Sequence, residues 1–237
     1  MVRHDYMGCL ESVDVSSCSH TVDTHIAAMA RNYSWSDIYT RPVWVLSMDR
    51  VRSGLGQWAD RGEAWLACQR SSFCFTANEL SQVDLQHRTS SAMVSKGGNS
   101  SSSGKVVFVE QEQGAFKHMI ASSRFLLIIH GGGLDPSPKC WETIALGTIP
   151  ILVSGPLSDS YSLLPVAFVD SAADFLANPA NQSMRLLEQW LRELGPYYVP
   201  HSELRNQTLR RLQMAFWWHR IEDKLSDWER NRTAIPS

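Results

Sequence analysis

Between residues 130 and 142 the chain reads His130-Gly131-Gly132-Gly133-Leu134-Asp135-Pro136-Ser137-Pro138-Lys139-Cys140-Trp141-Glu142, three glycines running into a basic and then an acidic side chain. Without a Cβ, the backbone at Gly131, Gly132 and Gly133 can approach an anion closely, and a helix starting after them offers unpaired amides and a positive dipole end. A phosphate is the group that such a turn receives best. Lys139, in the first helical turn, supplies a point charge suited to a diphosphate, and Glu142, nearly one turn on, can accept two hydrogen bonds from a ribose diol. The stretch is not a Walker loop, because no Gly-Lys-Ser/Thr follows, and its glycine spacing is not the dinucleotide fingerprint. Taken alone, a glycine triplet also serves as a plain strand-to-helix connection, so its meaning rests on what surrounds it.

The surrounding pattern is that of an α/β fold. Phe125-Leu126-Leu127-Ile128-Ile129 is a continuous apolar run of the kind found in strands buried on both faces, and Ile149–Val153 and Val166–Val169 are two more. Val106–Val109 reads as a further short strand. Helical spacing covers Gln111 to Ser122, and a Pro-opened helix is predicted over Ser137 to Leu146. From Ser183 onward the chain turns helical, with one stripe through Met184, Leu187, Trp190, Leu191 and Leu194. A second stripe runs through Leu204, Leu209, Leu212, Phe216, His219 and Leu225. Phe216, Trp217 and Trp218 read as packing aromatics rather than as a ligand box. Strands without alternation, separated by helices, predict a Rossmann-like parallel sheet flanked by helices, with ligands received outside the carboxyl ends of the strands. The loop leaving Ile129 lies at that edge.

Residues 90–104, Ser-Ala-rich and then Gly/Ser-rich, read as a linker or long loop. The expected division is therefore a poorly defined N-terminal region over 1–89, the linker, and a Rossmann-like domain over 105–232. Before the linker one strand is evident, Pro42 to Ser47. The carboxylates there, Asp49, Asp60 and Glu63, have no spacing that selects one of them.

The run from Ser123-Arg124-Phe125 through the glycine turn, Lys139-Cys140-Trp141-Glu142-Thr143, Gly147-Thr148-Ile149-Pro150-Ile151 and Leu164-Pro165 resembles the C-terminal motif region of exostosin-like glycosyltransferases. That family carries a Ser-x-Phe strand, a glycine-rich turn, Arg followed by an aromatic-Glu-Ala triplet, Gly-x-Ile/Val-Pro, and a later Leu-Pro. The resemblance covers about Phe116 to Ile221, with Ala215-Phe216-Trp217-Trp218 similar to the aromatic helix near the end of such domains. It implies one lobe of a two-lobed GT-B fold that transfers a sugar from a nucleotide-sugar donor, UDP-linked for preference, to a glycan or glycoprotein acceptor with no obligatory metal or other cofactor. By position, Glu142 would bind the donor ribose or sugar, Gly131 to Gly133 would face the diphosphate, and Asp135 would join them. Lys139 would stand where the family usually has Arg, without the bidentate fork. Further departures are Ile129-His130 in place of the usual Pro-Arg, a segment from Asp135 to Lys139 one residue longer, and no second Glu seven residues beyond Glu142. His130 is the catalytic candidate in the turn, with polar lining as the plainer reading. In two-lobed transferases the base for the acceptor usually comes from the other lobe, so a truncated, non-catalytic nucleotide-sugar-binding module is the alternative expectation, and a ligand-free structural domain a third.

The 22 basic and 24 acidic residues are interleaved, which argues against nucleic acid or a polybasic membrane surface as partner. No run approaches the length of a membrane helix and the N-terminus has no signal-peptide core. Cys9, Cys18, Cys68, Cys74 and Cys140 contain no CxxC pair, so neither a zinc site nor a closed disulfide framework is written, and most read as small hydrophobes. Five of the seven asparagines lie in N-x-Ser/Thr sequons (Asn32, Asn99, Asn181, Asn206, Asn231), where chance gives about one. The sequons point to a Golgi or secretory lumen with the anchor outside this chain.

Overall fold

The computed structural model describes residues 23–24, 26–30, 37–49, 55, 57–81, 113–130 and 139–233. Its centre is a five-stranded, all-parallel sheet of order β2-β1-β3-β4-β5: β1 Val43–Ser47, β2 Cys74–Thr76, β3 Ser123–Ile128, β4 Ile149–Val153 and β5 Ala167–Val169. The helices are α1 Gln57–Arg70, α2 Ala77–Ser81, α3 Gln113–Ala121, α4 Lys139–Ala145, α5 Ala172–Ala177, α6 Ala180–Leu194, α7 Glu203–Arg211 and α8 Met214–Thr233. Every residue of β1 and β3 is buried, so both faces of these strands are covered, which is what their unbroken apolar runs require. The expected Rossmann-like α/β architecture is the one observed.

The sheet runs across the boundary drawn at 90–104. β1 and β2 come from the segment read as a separate N-terminal region, yet β1 pairs with β3 in parallel register (Val43 with Ser123, Val45 with Phe125), and the buried core is continuous from Val45 to Leu152. Composition marked a break in chain polarity, whereas strand pairing joins residues on both sides of it. β2, with only three residues, carries too little pattern to be read beforehand. Residues 90–104, the strand expected at Val106–Val109, Cys9, Cys18, Asn32 and Asn99 lie outside the described residues. Asn181 and Asn206 are exposed, on α6 and α7.

Local chemistry fixes where the elements stop. α4 ends at Gly147, whose φ of 76° is open to glycine, and the Gly147 and Thr148 amides donate back to the carbonyls of Ile144 (3.0 Å) and Thr143 (3.1 Å), the double closure of a Schellman turn. The buried guanidinium of Arg205 on α7 then donates to the carbonyls of Ile144 (2.8 Å) and Ala145 (2.9 Å). Burial pushes Arg205 down to about 10, offset in part by Tyr198. Arg41 holds the amino edge of the sheet in the same way, giving Nη1 to the Ser123 carbonyl (2.9 Å) and the Thr148 hydroxyl (2.8 Å). Burial and the nearby Arg205 lower Arg41 to about 9. On one side Phe125, Trp190, Phe175 and Phe73 form a chain of ring contacts from β3 through α6 and α5 to the entry of β2.

Two of the cysteines depart from the expectation of unpaired hydrophobes. Cys68, near the end of α1, is disulfide-bonded to Cys74 at the start of β2, while Cys140 is the buried free thiol expected of a small core residue. The bond closes a loop with a sequence separation of 6 and ties the edge strand to its crossover helix. Reduction, or Cys74→Ser, is expected to lower stability by about 2 kcal/mol through the freed chain entropy of a loop this short. Urea unfolding with and without reductant measures it.

Candidate functional site

In the order β2-β1-β3-β4-β5 the connections leaving β1 and β3 run to opposite edges, so the strand order reverses between them, the place where an open parallel sheet receives ligands. Asp49 stands there, two residues past β1 and 2% exposed. A buried carboxylate is costly unless its oxygens are filled, and here each has a donor. The Ile129 amide donates to Oδ2 at 3.1 Å, and the Lys139 ammonium donates to Oδ1 at 2.9 Å, with a longer 3.3 Å bond to the Met48 carbonyl. One side chain thereby ties the exit of β3 and the start of α4 to the end of β1.

Arg61 secures the same exit from above. Projecting from α1, it donates Nε to the His130 carbonyl at 3.1 Å and reaches the Ile129 carbonyl at 3.5 Å. The His130 ring lies against Gly155 beyond β4, where an added Cβ would come within 3.2 Å of Cε1 and 3.3 Å of Nε2. Gly155 is therefore small for a reason, and its amide is in turn held by the Ser158 hydroxyl at 2.8 Å. Among the described residues His130 Nδ1 is enclosed and meets no hydrogen-bond partner.

Glu142 occupies the first turn of α4 and is part-buried. Burial raises its pKa above the ordinary carboxylate value, an effect offset by the charges of Lys117 and Lys139. Next to it Trp141 packs against Tyr161 at 6.1 Å between centroids and edge-on against Trp217 at 6.0 Å. These contacts account for the aromatic residue that precedes Glu142 and for Trp217 as packing groups.

Of the residues singled out beforehand, Lys139 and Glu142 share the first turn of α4, and His130 stands at the exit of β3. Gly131, Gly132, Gly133 and Asp135 lie outside the described residues. Asp49 was one of three undistinguished carboxylates. The other two, Asp60 and Glu63, are exposed on α1. The signal that separates them is positional: Asp49 follows directly on a buried parallel strand, at the end where ligands collect. Arg61 had no sequence signal. Among the described residues, no group of three or more His, Cys, Asp or Glu side chains is placed to hold a metal ion, and no helix is long and apolar enough to cross a membrane.

No family model and no characterised protein matches the chain. What the site offers is an anchored cation and a part-buried carboxylate one turn later, at the reversal of strand order.

The raised pKa of Glu142 has a stability consequence with a definite sign. Its folded state prefers the protonated form, so its contribution is most favourable below the unfolded value near 4.5 and is lost as pH rises through the higher folded value. Glu142→Gln is expected to match the wild type at pH 4 and to be more stable at pH 7. The gain should stay under about 1 kcal/mol, because a part-exposed carboxylate keeps some hydration. Thermal melts of both proteins across that range check it; a wild type that is the more stable at pH 7 would mean that its lysine partners outweigh burial.

Proposed function

We propose that the chain is a nucleotide-sugar-dependent glycosyltransferase of the exostosin-like kind, binding a UDP-linked donor at the carboxyl edge between β1 and β3. The observation that carries this reading is the placement of Lys139 and Glu142 three residues apart on nearly one face of the same helix, at the reversal of strand order. There a cation can meet a diphosphate and a carboxylate can meet a ribose or sugar diol. The resemblance of residues 116–221 to the exostosin motif region supports the same assignment. On that reading Gly131 to Gly133, with Asp135, would line the diphosphate. Catalysis would come mainly from donor positioning and stabilisation of the leaving diphosphate, and the acceptor would be a glycan or glycoprotein.

The Cys68–Cys74 disulfide and the exposed sequon asparagines Asn181 and Asn206 support a secretory or Golgi lumen, where thiols pair and sequons are read.

One observation favours the non-catalytic alternative. An acceptor hydroxyl needs a base, and Asp49, the carboxylate that β1 delivers to this edge, is buried and already committed to Ile129 and Lys139. A lobe of this composition can hold a donor without turning it over.

Calorimetric titration with UDP and UDP-sugars tests both readings. Lys139→Ala and Glu142→Ala are each expected to weaken UDP binding by roughly tenfold or more, the value of a lost hydrogen bond to a charged group. Donor hydrolysis by the wild type supports the enzyme, and binding without turnover supports the module. No binding at millimolar UDP would sink the donor site altogether.

A further inference from the structure

The last helix carries large apolar side chains that are about half exposed. Its start is fixed by the Met214 amide donating to Asp23 at 2.9 Å, and its first turns by Trp217, which packs on Trp141 and donates its indole N–H to the Arg211 carbonyl at 2.8 Å. Along the rest of α8, Met214, Trp218, Ile221, Leu225 and Trp228 are 42%, 52%, 50%, 57% and 58% exposed. Their spacing alternates four and three residues. At 100° per residue they fall within an arc of roughly 80°, the seam of a coiled coil with Met214, Ile221 and Trp228 at d and Trp218 and Leu225 at a. Beside the seam lies an open groove of about 340 Å³ lined by Trp217, Arg220, Ile221, Lys224 and Leu225.

We propose that this seam is a self-association surface, on which two copies of the chain pack their α8 helices side by side and parallel. The surface is large enough for that occupant. Measured against whole side-chain areas of ~150–250 Å², the exposed fractions offer roughly 500 Å² per copy, so a pair would bury at most about 1,000 Å², the size of a weak, concentration-dependent interface. A membrane surface fits less well, because Arg220 and Lys224 are balanced by Glu222, Asp223 and Asp227 and the helix presents no basic face to anionic lipid. Charge also selects the direction. An antiparallel pair sets Lys224 against Lys224 and Glu222 against Glu222 of the other copy, like charges that a parallel pair keeps on opposite sides of the seam. The surface is independent of what binds at the sheet edge.

Sedimentation of the full chain tests this. Between ~1 and ~100 µM the mass should rise from 26.7 kDa towards twice that value, as a surface of this size implies. Ile221→Asp and Leu225→Asp, at half-exposed positions, should hold the chain at monomer mass with its thermal melt unchanged. Leu225→Cys should cross-link to itself under mild oxidation, since a parallel pair apposes the two copies of that position. A wild type that stays monomeric at ~100 µM, or a dimer that survives both Asp substitutions, overturns the proposal. So does a monomer that binds phosphatidylcholine vesicles through this helix, which would give the seam to lipid. Cross-linking only between Ile221→Cys and Leu225→Cys copies would overturn the parallel arrangement.

Discussion

The pairing of β1 with β3 is the constraint from which the rest of the architecture follows. The two strands are neighbours in the sheet although Asp49 and Ile129, at their carboxyl ends, are 80 residues apart in the chain. Once they pair in parallel, β2 must be reached on one side and β4 and β5 on the other. Their connections then lead to opposite edges of the sheet, which leaves the edge between them to side chains. What fills it is Asp49, whose two oxygens take a backbone amide from β3 and the ammonium of Lys139. A carboxylate buried without such partners would cost several kcal/mol, so pairing, burial and the position of Lys139 stand or fall together.

The two ends of the sheet solve different problems with charged side chains. At the amino end Arg41, Arg124 and Arg205 spend donors on main-chain carbonyls: Arg124 on Arg41 (2.9 Å) and Tyr39 (2.8 Å), Arg41 on Ser123, and Arg205 on the last turn of α4. Guanidinium suits that work because its planar fork meets several acceptors while its stem and face pack, as Arg124 does over Trp44 at 4.2 Å. At the carboxyl end Arg61 does the same for the exit of β3, and beside it stands the compact pair of Asp49 and Lys139. The first end is glued by multiplicity, the second left with shape and polarity that a ligand can use.

Most of the sheet was legible because buried parallel strands need continuous apolar runs. Ile149–Val153 is a strand over the residues read, and the strand at Phe125 begins two residues earlier, since Ser123 pairs with Val43 and anchors its hydroxyl on the Met119 carbonyl at 2.8 Å. Long-range partnership was not legible. Nothing local tells that Lys139 closes on a carboxylate 90 residues away, or that the β1 segment belongs to the same sheet as β3. The second helical stripe was read as one helix, yet it breaks at Leu212 and Gln213 into α7 and α8. Leu212 is buried and Leu225 is exposed because the change of direction carries α8 off the core. Periodicity reports an apolar face; it does not report what the face meets.

The grip of Arg205 on α4 makes the C-terminal helices part of the site's foundation rather than an appendage. A chain cut just after β5 would retain all five strands and Lys139, Glu142 and Asp49, yet the carbonyls of Ile144 and Ala145 would lose their cation and the α4 stop its support. The smallest unit able to keep the site in shape thus extends at least through α7, and any excised fragment or fusion boundary has to respect that reach.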